Sequence, residues 1–400
     1  MKKRYIQMTG VLVLLLLCLG SSTREERIQQ QRQAERERQE QCYTLTVLSP
    51  VTGELDYIGE PVEWTVLYAQ DKINDAGGIH GIPVKIYVED TGFIPEKAVH
   101  SVERLAEDQR IILGPVDSPG TEAIASLVEE NHIPNVATYV YEEIRERLAP
   151  YGIFYMKDAL EGEKDAVRIW KEENPDIQKV VLLALETDHA QAEHARALEQ
   201  YLPAIGMEAV DIIYMDTDQE EGMDAVVQAL NAKAEGYISL VRAEEYGMLL
   251  QQLRKRGITE GRRILASFSC FEYDMIEAHR AELSGTYIWN SVNLDYEGEE
   301  WQALVEDYKE AHGGTSPASS VVVDMYNSVL AWKQCIEELK LSPTAGNLSK
   351  ERQMIGEWFY NSPVIEGIQG EYQWIDGRKV VDICLFQFDE EGNAVAVNTQ

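Results

Sequence analysis

The chain has 400 residues, enough for two domains of ordinary size, and 44% of them are apolar, which excludes a disordered chain. It carries 36 Lys+Arg against 69 Asp+Glu, a formal −33, with residues 1–42 at a net +3 and the remainder at a net −36. A body so acidic along its whole length is repelled by nucleic acid and by an anionic membrane surface, which leaves the N-terminus as the part that meets a membrane.

Lys2-Lys3-Arg4 is a positive start, residues 11–19 are a continuous apolar run, and Gly20-Ser21-Ser22 is a small, polar exit. This is the layout of a secretory signal with its basic end inside, and the run is short for a spanning helix, which needs roughly 20 apolar residues. Leu15-Leu16-Leu17-Cys18 resembles a bacterial lipobox, in which the cysteine is acylated, although Leu17 stands where a small residue is usual. The alternatives are an uncleaved anchor over about 5–22, or ordinary cleavage after the small residues; all three export the body. Residues 24–41 have almost no apolar side chains and read as a solvated spacer, placing a signal or anchor at 1–22 and the spacer at 23–42.

From Cys42 the pattern changes. Strand-type runs at 43–48, 84–88, 111–114, 135–137, 179–185, 209–214, 236–241 and 264–267 alternate with helical stretches at 61–74, 95–108, 121–131, 189–202, 244–256 and 299–313. The first helix shows its period in Val62, Val66, Ala69 and Ile73, and Ala76-Gly77-Gly78 supplies its stop. Repeated strand–helix units predict a doubly wound α/β sheet with parallel strands, and the length predicts two of them. Residues 370–374 and 380–388, followed by an Asp389-Glu-Glu-Gly392 turn, read as a hairpin-like end rather than another such unit.

The five cysteines, Cys18, Cys42, Cys270, Cys335 and Cys384, show no paired spacing, which argues against a disulfide scaffold or a zinc site. There is no GxSxG elbow, P-loop, HExxH or dinucleotide-type GxGxxG. His189 and His194 are five apart, poor spacing for one helical face, and read as surface side chains rather than metal ligands. Carboxylate pairs are too common in this chain to mark a glycosidase. An exported hydrolase lacks a recognisable nucleophile and base here, so no enzyme, metal or cofactor is expected.

One stretch is specific. It runs Tyr57-Ile-Gly-Glu60, Ile73-Asn-Asp-Ala-Gly-Gly78-Ile-His-Gly-Ile-Pro-Val84, Val88-Glu-Asp-Thr91, Pro95-Glu-Lys-Ala98 and Leu113-Gly-Pro-Val-Asp-Ser118. In order and spacing these phrases resemble the type 1 periplasmic solute-binding proteins of the leucine/isoleucine/valine-binding family of ABC transporters. Asp158-Ala-Leu-Glu-Gly162, Met325-Tyr-Asn-Ser-Val329 and Gly370-Glu-Tyr372 extend the likeness over essentially all of 43–395, strongly in the first lobe and thinly in the second. The resemblance implies an α/β fold of two Rossmann-like doubly wound lobes joined by three crossover strands. Lobe 1 would take 43–158 plus 288–360, and lobe 2 would take 159–287 plus 361–400. Ligand would sit between them, in the crevice at the carboxyl ends of strands, and closure would be a hinge motion.

The loop from Gly114 to Thr121 follows a strand and opens a helix, where free backbone N–H groups favour a carboxylate. The resemblance makes Ser118, with Asp117 beside it, the contact to a ligand α-carboxylate; the alternative is that Ser118 caps the helix. In the next loop, Ala137-Thr138-Tyr139-Val140-Tyr141, Tyr141 replaces a family threonine and Tyr139 a small residue. The two rings shrink the pocket or stack on a planar ligand, unless one packs under the loop. Asp158 matches an acid at the first crossover and either draws a ligand ammonium or caps the helix from Ala159. In lobe 2, His189 stands where relatives carry an aromatic, Arg242 faces a second carboxylate or solvent, and Glu272 is the candidate acid for an ammonium. Tyr57 matches a pocket-wall aromatic. The implied function is capture of a small amino acid or amide-like solute by a monomer that delivers it to an ABC permease. The alternative from another class is a sensing module for a membrane signalling partner.

Overall fold

The computed structural model describes residues 42–397 apart from 186–187, 216–232, 259, 294–295 and 316–319. The signal, Cys18 and the spacer lie outside the described residues, as do Glu186 and Thr187. Two sheets dominate. The first contains β1 (Tyr43–Ser49), β2 (Val84–Asp90), β3 (Ile112–Leu113), β4 (Asn135–Ala137) and β5 (Gly152–Lys157). The second contains β6 (Lys179–Leu185), β7 (Glu208–Met215), β8 (Gly236–Ser239), β9 (Ile264–Ala266) and β10 (Tyr287–Asn290). Five later strands divide between them: β11 (Ile365–Gly367), β12 (Gly370–Ile375) and β13 (Arg378–Val380) join the first, β14 (Cys384–Phe388) and β15 (Ala394–Ala396) the second.

The first sheet runs β11-β12-β13-β5-β4-β3-β1-β2 and the second β15-β14-β10-β9-β8-β6-β7. β1 to β5 pair in parallel, as do β6 to β10, while β12 is antiparallel to β13 and β14 to β10. Both sheets are covered on both faces, which is why their strands read as unbroken apolar runs. In β6, Val181, Leu183 and Leu185 pack in one core while Val180, Leu182 and Ala184 pack in the other. Leu45 and Val47 of β1 face the helices Glu299–Ala311, Ser320–Glu338 and Leu348–Tyr360, and Leu48 faces the opposite way with Ile112 and Ala137.

The sequence expectation for the two lobes needs correction at the C-terminal side. Residues 365–380 were expected in lobe 2, but β13 pairs with β5 in the first sheet. Three contacts hold this piece there: Trp374 Nε1 donates to Phe154 O at 2.8 Å, the Tyr372 hydroxyl donates to Asn327 O at 2.5 Å, and Lys379 forms a buried ion pair with Asp324. Conversely, β10 was expected from residue 288 to belong to lobe 1, and it pairs with β9 and β14 in the second sheet. The run 380–388 is not one strand, because the chain passes between the sheets at 381–383. The other passages are at Asp158 and between Asn290 and Glu299.

Candidate functional site

Parallel strands leave their carboxyl ends on one edge, and in both sheets that edge carries the predicted residues. In the first lobe the β3 loop begins at Gly114, whose φ of +80° and position against β1 exclude a side chain; a Cβ there would stand 2.1 Å from Leu48 O. Its N–H donates to Val136 O at 2.7 Å, locking the loop to β4. Asp117, not Ser118, is the N-cap of the Ser118–Asn131 helix: Asp117 Oδ1 accepts from Gly120 N at 2.7 Å. Asp117 is 6% exposed, its Oδ2 has no hydrogen-bond partner among the described residues, and burial raises its carboxyl above the usual range. Ser118 is half-buried at the first helical position, and its hydroxyl makes no hydrogen bond among the described residues.

Thr138 ties the β3 and β4 loops together, its hydroxyl lying 3.3 Å from both Pro115 O and the Tyr155 hydroxyl. The expectation that Tyr139 faces a ligand is wrong. Its ring packs with Leu48, Ile124 and Leu148, and its hydroxyl donates to Asn135 Oδ1 at 2.7 Å. Tyr139 therefore fills the space beneath the loop, and Tyr141, half-buried, is the ring at the rim. Tyr57 stands in the first turn of the Asp56–Asp75 helix, 59% exposed.

The second lobe supplies its own rim. After β6, Asp188 caps the His189–Tyr201 helix by accepting from Gln191 N at 3.2 Å. His189 is exposed and its Nε2 lies 3.2 Å from Glu193 Oε1. His194, expected at the surface, is half-buried, and burial lowers its pKa against the raising charges of Asp158, Asp188 and Glu193. After β8, Arg242 precedes the Ala243–Lys255 helix and pairs with Glu245 at 3.2 Å; Glu245 is 7% exposed and its Oε2 has no partner among the described residues. Glu272 is exposed ahead of the Tyr273–Ala278 helix. Asp158 spends one oxygen capping the Ala159–Glu173 helix, accepting from Glu161 N at 2.9 Å.

The two rims face each other. The Tyr57 hydroxyl is raised by burial and by Glu272 and lowered by Arg242, both across the gap in the second lobe. Tyr141 is raised by burial, by Glu122 beside it, and by Asp188 and Glu193 from the second lobe. Sequence reasoning missed Asp188, Glu245 and Glu163. Asp188 had a legible signal, the Asp-x-x-Gln spacing of a helix start, whereas nothing distinguishes Glu163 from the other acids around it.

Two parallel α/β lobes, crossed by the chain three times and presenting loops to one another across a gap, define a two-lobed solute-binding protein. The sequence profile of the periplasmic binding protein family matches residues 43–393, and the chain belongs to that family, whose members bind solutes outside the cytoplasm and are not enzymes. Solved structures share the fold. An ABC transporter substrate-binding protein from Sphaerobacter thermophilus is 17% identical, with a TM-score of 0.73 over 90% of this chain and 97% of that one. The branched-chain amino acid transporter substrate-binding protein LivJ from Streptococcus pneumoniae, in complex with isoleucine, is 16% identical, with a TM-score of 0.70 over 89% and 98%. A solute-binding protein of an ABC transporter from Rhodopseudomonas palustris, in complex with 3,4-dihydroxybenzoic acid, is 16% identical, with a TM-score of 0.68 over 87% and 93%. No curated protein matches the chain in sequence. Among the described residues no helix is long and apolar enough to cross a membrane.

Proposed function

We propose that this protein is an extracytoplasmic substrate-binding protein that captures a small amino acid or amide-like solute between its lobes and delivers it to an ABC permease. The observation that carries the reading is the coupling of Tyr57 in one lobe to Arg242 and Glu272 in the other. A solute held between these side chains touches both lobes at once, so its binding free energy favours the closed arrangement. Ser118 supplies an uncommitted hydroxyl at a helix start, Tyr141 and Tyr57 supply aromatic walls, and Arg242 and Glu272 supply charges of both signs, which suits a compact polar ligand. Tyr139 and Asp158 act in this reading as supports, one under the loop and one at a helix start. The isoleucine and dihydroxybenzoate complexes of the two relatives are consistent with a solute of this size. Acylation of Cys18 would tether a monomeric body to the outer face of the membrane through the spacer.

Thermal unfolding against the twenty amino acids and small amides tests this. A ligand that binds only the folded state raises stability by about 2.7 kcal/mol at a hundredfold excess over its dissociation constant. A clear shift with one class, lost in Ser118→Ala, is the expected result. Absence of any shift across the panel removes the amino-acid assignment.

A further inference from the structure

The Ser118–Asn131 helix start already holds an anion. The Asp117 carboxylate accepts from Gly120 N at 2.7 Å, in the place where a ligand carboxylate would take the N–H groups and the positive end of the helix. Two negative groups sharing that turn repel each other, most strongly where water is excluded. Asp117 is 6% exposed, and its second oxygen is buried with no partner among the described residues. A buried acceptor left unsatisfied is costly, and a donor that reaches it recovers the cost. Next to it, the Ser118 hydroxyl also lacks a partner among the described residues and can accept or donate.

The opposite rim has the same sign. Of the second-lobe groups that act on Tyr57 and Tyr141, Glu272, Asp188 and Glu193 are acids, and Arg242, the cation among them, is paired with Glu245. A ligand entering between the lobes meets a negative field that favours a cation.

We propose that Asp117 is the specificity-determining residue of the site, and that the ligand group bound at this loop is a cationic nitrogen, an amine or guanidine, rather than a carboxylate. This rests on the reading of the interlobe gap as the ligand site. An amino acid would then enter with its ammonium toward Asp117, and a solute with no carboxylate would suffice.

The two halves of leucine separate the possibilities. Isoamylamine keeps the side chain and the amine; isocaproate keeps the side chain and the carboxylate. Calorimetry and thermal unfolding are run with both, and with leucine, on the unaltered protein and on Asp117→Asn. Asparagine retains the cap oxygen, so the variant folds, and its unliganded midpoint verifies this. Isoamylamine is expected to raise the midpoint and isocaproate to leave it unchanged. Asp117→Asn is expected to weaken isoamylamine roughly tenfold to a hundredfold, the worth of a charge-assisted hydrogen bond. Stabilisation by isocaproate, or by isoamylamine or leucine equally in the variant, overturns the inference and leaves the interlobe site standing. Silence of all three probes together with every other amino acid and amide overturns both.

Discussion

Inside the second lobe, Trp289 Nε1 donates to Glu163 Oε2 at 3.0 Å, while Glu163 Oε1 accepts from the Ser267 hydroxyl at 2.5 Å. One carboxylate thus joins three segments: the helix that follows the first passage between the lobes, the β9 end that leads to Glu272, and the β10 strand that leads to the second passage. It is the internal brace of the rim that faces Tyr57.

That brace predicts a pH dependence. Burial pushes the Glu163 carboxyl up to about 7, with the two donors partly offsetting the rise. The folded protein therefore binds a proton that the unfolded chain, with an ordinary glutamate, has released between about pH 4.3 and 7. Stability from this group is full below that window and falls as pH rises through it, by a loss of about 3 kcal/mol. Glu163→Gln is expected to remove the slope, since an amide accepts from Trp289 and donates to Ser267 without charge. Denaturant midpoints at pH 5 and pH 8 check this, and an unchanged slope in the variant would sink it.

Gly162, beside that glutamate, is fixed by the same indole. A Cβ at Gly162 would lie 2.1 Å from the Trp289 ring. Gly162→Ala forces the ring or the helix to move and is expected to cost about 1–3 kcal/mol, the usual range for overpacking. Urea unfolding measures it. The companion variant Gly162→Ala with Trp289→Phe should recover part of the loss, because the smaller ring vacates the space.

At the first-lobe rim, stability and binding separate. Ser118→Ala removes a hydroxyl that bonds nothing among the described residues, so its unliganded stability should stay within about 0.5 kcal/mol of the parent. Asp117→Ala removes the helix cap and is expected to cost about 1 kcal/mol. Equal losses in the two variants would contradict the assignment of the cap to Asp117.

Much of this architecture was legible. Strands covered on both faces carry continuous apolar runs, and the runs at 43–48, 84–88 and 179–185 matched β1, β2 and β6 closely. The rim loops followed, because each begins where such a run ends. What the sequence hid were choices made by single long-range contacts. β13 is three residues with a lysine in the middle, and no periodicity says which sheet takes it. The orientation of Tyr139 against Tyr141 turns on one hydrogen bond to Asn135, and two tyrosines in one short loop look alike from sequence.

The assignment of β13 to the first lobe carries its own test. Lys379 and Asp324 are each 2% exposed at the side chain and form an ion pair, with the lysine ammonium also 5.0 Å from the Tyr372 ring centroid. Burial raises the Asp324 carboxyl and the Lys379 charge opposes the rise; Asp324 Oδ2 has no partner among the described residues. Breaking such a pair leaves a buried charge uncompensated and costs about 3–5 kcal/mol, whereas replacing both members with apolar side chains is often neutral. Lys379→Met is expected to fall in that range by urea unfolding, and Lys379→Met with Asp324→Leu to regain most of it. Because Lys379 immediately precedes the third passage between the lobes, the single variant should also free β13 from β5 and raise amide exchange across 365–380. A cost below about 1 kcal/mol with exchange unchanged would mean that β13 is held by Trp374 and Tyr372 alone.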